Sequence, residues 1–125
     1  MLVDTDVLIW YLRGYPSAAQ RIDQLNKLTI SAVTWLELLQ GMRNRAEMSA
    51  LQKSLAKRQA EQLPLTPEIT ERAIALMENL VLSHGMQMGD ALIAATALEH
   101  ELTVLTGNVK HFSAVQCLRT ERFQP

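Results

Sequence analysis

Asp4, Glu37, Asp90 and Asn108 are the polar residues of this chain whose placement allows them to do chemistry together. Asp4 follows the apolar run 1–3 and precedes an apolar helical stretch, so its carboxylate projects from the carboxyl edge of a strand, where open α/β sheets bind ligands. Asn108 follows the β-branched run 103–106 in a Gly107-Asn108 turn and reaches the same edge. Glu37 lies between Trp35-Leu36 and Leu38-Leu39 in a helix apolar over most of its circumference, with Thr34, Gln40, Gly41 and Asn44 on its polar side. Asp90 opens Asp90-Ala91-Leu92-Ile93-Ala94-Ala95, small residues that let a helix lie close to a sheet. Singly, each has an ordinary use: Asp4, Thr5 or Asp6 as a helix cap, Glu37 as a solvated side chain, Asp90 as a carboxylate on a helix dipole, Asn108 as a turn former. Together, three carboxylates facing one crevice raise one another's pKa unless a cation neutralises them, and an all-oxygen set selects Mg²⁺ or Mn²⁺. Zinc has no comparable set, because His84, His100 and His111 lack i, i+4 pairing and Cys117 is the only cysteine. These histidines are expected to be structural or exposed, and Cys117 to be a buried thiol.

The elements that must position these residues alternate along the chain. The run 1–3 is a strand, and Val7, Leu8, Ile9, Tyr11 and Leu12 crowd a helix that Gly14 and Pro16 end. Ser17 is a plausible cap for a second helix to about residue 26, and 28–31 is a β-branched strand. A third helix runs from 32–33 to 41–42, and a polar, basic fourth covers about 46–60 and is expected to pair with it as a hairpin. Residues 63–65 can form a strand before Thr66-Pro67, a cap and first helical residue opening a helix to about 82. After Ser83-His84-Gly85, a helix spans 90–100, a strand 103–106, and a short helix and strand finish the chain. Strands separated by helical segments imply right-handed crossovers and a mostly parallel sheet covered on both faces, a three-layer α/β/α sandwich.

The 125 residues, 48% apolar and 20% charged, fit one domain over 1–125 and lie far from the composition of disordered chains. The longest apolar run, 7–12, is too short to span a membrane, and the early Asp4 and Asp6 argue against a secretory leader, so a cytoplasmic location is expected. A net charge of −1 excludes a generic basic nucleic-acid coater. Charge is nevertheless segregated: Arg43, Arg45, Lys53, Lys57 and Arg58 face only Glu47 over 43–58, whereas 61–101 carries seven acids against Arg72. Two solvated helix faces would account for this.

Four segments carry a resemblance: Leu2-Val3-Asp4-Thr5-Asp6-Val7-Leu8-Ile9; Ser31-Ala32-Val33-Thr34-Trp35-Leu36-Glu37-Leu38-Leu39-Gln40-Gly41; Gly89-Asp90-Ala91-Leu92-Ile93-Ala94-Ala95; and Leu105-Thr106-Gly107-Asn108-Val109-Lys110-His111-Phe112. In order and spacing they resemble the four motifs of the PIN-domain ribonucleases, particularly the VapC-type toxins of toxin–antitoxin pairs. The resemblance implies a PIN-like fold, with Asp4, Glu37 and Asp90 as an acidic catalytic and metal-binding triad. It places Asn108 where many relatives carry a fourth acid, and Asp6 where the family more often has Asn or Ser. It further implies cleavage of single-stranded or loop RNA to leave a 5′-phosphate. Asp4 and Asp90 would be the main ligands of Mg²⁺, with Mn²⁺ an alternative. Glu37 would position water, Asn108 would join the metal site, and Thr5, Asp6 and Thr106 would support from behind. Because acids repel RNA, Arg13, Arg43, Arg45 and Lys110 are the candidates for holding flanking phosphates.

The resemblance also implies a homodimer and a cognate antitoxin laid across a groove beside the acids, for which Trp35, Leu39 and Met42 are candidate linings. Trp35 could alternatively stack an RNA base. Three rival readings remain open: an RNA-processing nuclease of the same family that is not a toxin, a binding module with a degenerate site, and a haloacid-dehalogenase-like phosphatase. Intact Asp4, Glu37 and Asp90 weigh against the second. The missing second acid in 90–95 and the short chain weigh against the third.

Overall fold

The computed structural model describes residues 1–125. Five short strands, β1 (Leu2–Val3), β2 (Thr29–Ser31), β3 (Glu61–Leu63), β4 (Val104–Thr106) and β5 (Thr120–Arg122), form one sheet in the order β3-β2-β1-β4-β5, with every pairing parallel. The chain thus builds outward from β1 to one edge, then returns to place β4 on the other side of β1. The reversal opens a crevice beyond the carboxyl ends of β1 and β4, the switch point at which such sheets take ligands.

Alternation along the strands assigns the two core layers. Leu2 and Val104, which are register partners, join Ile69 and Ala73 of α5 (Pro67–His84) and Ala91, Ile93, Ala94, Ala95 and Ala97 of α6 (Met88–Glu99) in one layer. Val3 and Leu105, the next pair, join Val7 and Leu8 of α1 (Thr5–Leu12), Ala18 and Ile22 of α2 (Pro16–Asp23) and Leu51 of α4 (Arg45–Lys57) in the other. The α/β/α sandwich is therefore present. The helix α3 (Ala32–Gln40) gives Val33 to the first layer and Leu38 to the second, and it touches both α1 and α6. That straddling position carries Glu37 between the elements that bear Asp4 and Asp90. No helix is long and apolar enough to cross a membrane.

Several boundaries differ from the sequence expectation for local reasons. Helix α2 begins at Pro16 after Tyr15, with no side-chain cap, so Ser17 lies inside the helix; proline's fixed φ and missing N–H make it the natural first residue. Thr66 does cap α5, its Oγ1 accepting from the Ile69 N–H at 3.2 Å. Strand β3 is Glu61–Leu63 rather than 63–65, because this edge strand exposes Glu61 and Gln62 while Pro64 cannot donate to a ladder. The expected α3–α4 hairpin does not form. Helix α4 instead inserts Leu51 into the α1–α2 layer and ties to α1 through Tyr11 Oη and Ser54 Oγ, 2.8 Å apart. Cys117 is exposed rather than buried, sitting at φ 67 in the turn that leads to β5.

Candidate active site

The cleft at the switch point has a volume of about 440 Å³ and is lined by Asp4, Thr5, Asp6, Glu37, Asp90 and Asn108, together with Ile9, Gln87, Met88, Gly89 and His111. The three acids and the Asn singled out by the sequence thus come together from β1, α3, α6 and the β4 turn.

Asp4 is the most enclosed of them, with 5% of its surface exposed. Its Oδ1 accepts from the Thr5 N–H at 2.7 Å and its Oδ2 from the Thr106 hydroxyl at 2.7 Å. Asp4 therefore caps α1 and faces the cleft at once, so the two readings of this residue are not exclusive. Burial pushes its carboxyl up from 3.8 to about 7, aided by the charges of Asp6 and Asp90 and opposed by the Thr106 and Thr5 hydrogen bonds. Thr106, fully buried, lies behind Asp4 and also receives the Asn108 N–H at 2.9 Å, so one hydroxyl fixes both an acid and the turn.

Asp6 clasps that turn to α1. Its Oδ2 accepts from the Gly107 N–H at 2.9 Å and from Asn108 Nδ2 at 3.1 Å, leaving the Asn108 oxygen free of that bond. A Cβ at Gly107 would stand 2.7 Å from this same oxygen, so the clasp needs glycine. The other oxygen, Asp6 Oδ1, is buried without a partner. Burial raises the Asp6 carboxyl above the usual carboxylate range, against the pull of the Gly107 N–H.

Glu37 is held by the Thr5 hydroxyl, 2.6 Å from its Oε1, and Thr5 in turn meets the Thr34 hydroxyl at 3.1 Å. Its Oε2 lies over the backbone of α6, where a Cβ at Gly89 would approach to 2.8 Å. Asp90 is the third residue of α6 rather than its opening residue; the cap position is Gln87, which makes no side-chain cap bond. Freed from capping, Asp90 turns to the cleft, its Oδ2 3.3 Å from His111 Nδ1. Burial raises its carboxyl too, with Glu37 and Asp6 adding to the effect and His111 opposing it. His111 is exposed, in line with the sequence expectation, and it also lines the cleft. It reaches the site because the single turn Val109–His111 curls back beside α6, a placement that only its three-residue distance from Asn108 foreshadows.

Two cavities flank the cleft. One, of about 620 Å³, shares Ile9 and Glu37 with it and is lined by Leu12, Leu38 and Met42 with Arg13 and Arg43. Trp35 packs on the α1–α2 core layer and neither it nor Leu39 lines this groove, so Ile9, Leu12 and Leu38 take the place expected for them beside Met42. Arg43, 84% exposed, is paired with Glu47 four residues on at 2.6 Å, and Arg13 stacks on the Trp10 ring at 5.5 Å. Arg45 lines neither the cleft nor the groove. The second cavity, on the Asp90 side, takes in Lys110.

The donor chemistry fits a hard divalent cation: the acidic donors are all oxygens, burial raises three of the carboxyls despite their hydrogen bonds and the nearby His111, and one buried carboxylate oxygen has no partner. As the side chains stand, no three acidic or histidine groups are gathered tightly enough to hold one ion. Gathering them asks for Glu37 to leave Thr5 or Asp90 to leave His111, and neither side chain is fully buried.

A PIN domain profile matches residues 1–116. The chain belongs to the PIN-domain family. It is 39% identical over 123 residues to a protein of Mycobacterium tuberculosis named ribonuclease VapC10, covering 95% of this chain and 90% of the relative. A toxin–antitoxin complex from Klebsiella pneumoniae contains a chain with the same fold at 28% identity and a TM-score of 0.77, with 92% of each chain covered. The structure of VapBC2 from Rickettsia felis bound to a promoter DNA fragment matches at a TM-score of 0.82 over 98% of each chain; at 21% identity this speaks for the PIN fold alone.

Gly89→Ala is expected to separate activity from stability within this PIN site. The new methyl displaces Glu37 Oε2, while alanine in the first turn of α6 gains up to about 1 kcal/mol of helix propensity. The melting temperature should hold or rise and the activity of the site should fall, which parallel thermal denaturation and activity assays would show.

Proposed function

We propose that this chain is a divalent-cation-dependent endoribonuclease, the toxin of a toxin–antitoxin pair, hydrolysing RNA phosphodiesters to leave 5′-phosphates. The observation that carries the reading is the meeting of Asp4, Glu37 and Asp90 from three elements in one cleft of a PIN-family chain. Near-full-length similarity to a relative named a ribonuclease supports the reaction class. When bound, Mg²⁺ or Mn²⁺ supplies polarisation of the phosphoryl group and a more acidic attacking water. Asp4 and Asp90 would hold the ion, and the Asn108 oxygen would add to the oxygen set. Glu37, anchored by Thr5, orients the attacking water. Thr106 keeps Asp4 in place and Asp6 keeps Asn108 in place. Arg13 and Lys110 hold phosphates on either side of the scissile bond, and Arg43 joins once its exposed pair with Glu47 opens. Arg45 serves only as general positive charge near the groove.

A cognate antitoxin would cover the groove of Ile9, Leu12, Leu38 and Met42; the complex from Klebsiella pneumoniae supports such a partner. Exposed Ile74, Val81 and Leu82 on α5 support a homodimer. Incubation of purified chain with a total RNA pool in Mg²⁺ or in EDTA tests the activity. Cuts at a limited set of sites, ending in 5′-phosphates and abolished by EDTA, are expected. Cutting undiminished in EDTA, or release of terminal phosphate without internal cuts, would overturn the reading.

A further inference from the structure

The acidic cleft does not end at Asp90. Gln87, Asp90 and His111 form a wall shared with a second cavity of about 460 Å³, between the end of α5, the α5–α6 turn and the Val109–His111 turn. Its size lies within the roughly 300–1,000 Å³ of small-ligand sites. Its lining divides by chemistry. Leu80, Met86 and Ala114 make an apolar surface, while His84 and Lys110 bring a ring and a cation to it. Lys110 is exposed and its ammonium forms neither an ion pair nor a hydrogen bond, so its charge is available to a ligand. The rim is open at Gly85, which turns the chain at φ 63 and around which a Cβ would meet nothing within 4 Å.

We infer that this cavity is a nucleotide subsite, taking the RNA residue next to the scissile bond. Resting on the ribonuclease reading above, it makes Lys110 the contact for the flanking phosphate and lays the base over Leu80 and Ala114, with buried Met86 as the floor, against the His84 ring. Three features select a nucleotide over a peptide. The pocket shares a wall with the acids, so a polymer whose phosphate lies at Asp4 and Asp90 must pass it. It offers an unpaired cation beside that wall and an apolar surface for an unstacked base, the combination by which single strands are held. In the opposite groove Arg43 is paired with Glu47 and Arg13 lies over the Trp10 ring, so neither cation stands as free as Lys110. The subsite therefore governs which residue stands beside the cut, and with it the choice of cleavage site.

The test uses the full chain and a random-sequence single-stranded RNA pool in Mg²⁺, with sequencing of the cut ends and melting temperatures for each variant. Lys110→Gln is expected to raise KM about three- to tenfold with kcat nearly unchanged, and to lower the salt slope of RNA binding by about 0.7, one phosphate contact on a single strand. His84→Ala is expected to redistribute the cut sites. Both side chains are exposed, so the fold should survive, and Lys53→Gln on α4 should match the wild type. A pool cut by the wild type, with KM and site distribution unchanged in both variants, overturns the subsite and leaves the nuclease reading standing. A pool that the wild type neither cuts nor binds overturns that reading and the subsite with it.

Discussion

Asp90→Asn is expected to reduce RNA cleavage by at least about 10³-fold while the melting temperature holds or rises. On the proposed mechanism the loss follows from removing a charge that a bound cation would need, an interaction worth roughly several kcal/mol in the transition state. The preserved stability follows from the geometry. Asp90 makes no cap bond to α6, and its one contact, His111 Nδ1 at 3.3 Å, can still be accepted by the asparagine oxygen. Its carboxyl is already raised by burial and by Glu37 and Asp6, so removing its charge relieves the metal-free site. Single-turnover cleavage beside thermal denaturation, with Mn²⁺ binding as a third readout, checks all three parts. Cleavage within tenfold of wild type would remove Asp90 from the metal site. A sharp fall in melting temperature would return it to a structural role at the start of α6.

How far the sequence leads depends on how local the determining contacts are. Asp4 and Asn108 were legible because each follows a strand, and a parallel sheet delivers every such residue to the same edge. Glu37 and Asp90 were legible as ordered motifs, although neither periodicity nor capping shows that α3 lies between α1 and α6. The clasp from Asp6 to Gly107 was not legible, because its partners are 101 residues apart and Gly-Asn already has a sufficient explanation as a turn. His111 was passed over for the same reason: a solitary histidine announces nothing until the chain folds its turn against α6. The fourth helix departs from the expected hairpin with α3 because Leu51 and Ser54 bind it to the α1–α2 layer, contacts with residues some forty positions away that succession along the chain does not show. The edge strand β3 misled in the opposite sense, since Leu63 and Leu65 advertise a strand while the ladder runs through exposed Glu61 and Gln62. What a short motif can carry is the identity of a site; what it cannot carry is the set of distant groups that hold the site in shape.

Asp4→Asn is expected to stabilise the metal-free chain at pH 8 and to leave it unchanged near pH 3. In the folded chain the Asp4 carboxyl titrates at about 7 against 3.8 when exposed, chiefly through burial. Between those values the unfolded chain has released a proton that the folded chain still holds. Stability contributed by the protonated group is therefore complete below about pH 3.8 and is lost as the pH rises toward 7. At 1.36 kcal/mol for each tenfold in proton affinity, the loss is on the order of a few kcal/mol, part of it arising from the charges of Asp6 and Asp90. Asparagine carries no such titration and still offers an oxygen to the Thr5 N–H, as good a cap as aspartate. Urea denaturation in EDTA at pH 3, 5 and 8 should show wild type and variant together at the lowest pH and the variant ahead at the highest. Addition of Mg²⁺ or Mn²⁺ at pH 8 should then raise the wild-type midpoint and not that of the variant, because a cation repays the cost of the buried charge only where the charge exists. Parallel curves at all three pH values would mean that Asp4 is solvated in the folded chain, and that its neighbours Thr5 and Thr106 serve the cap rather than a metal site.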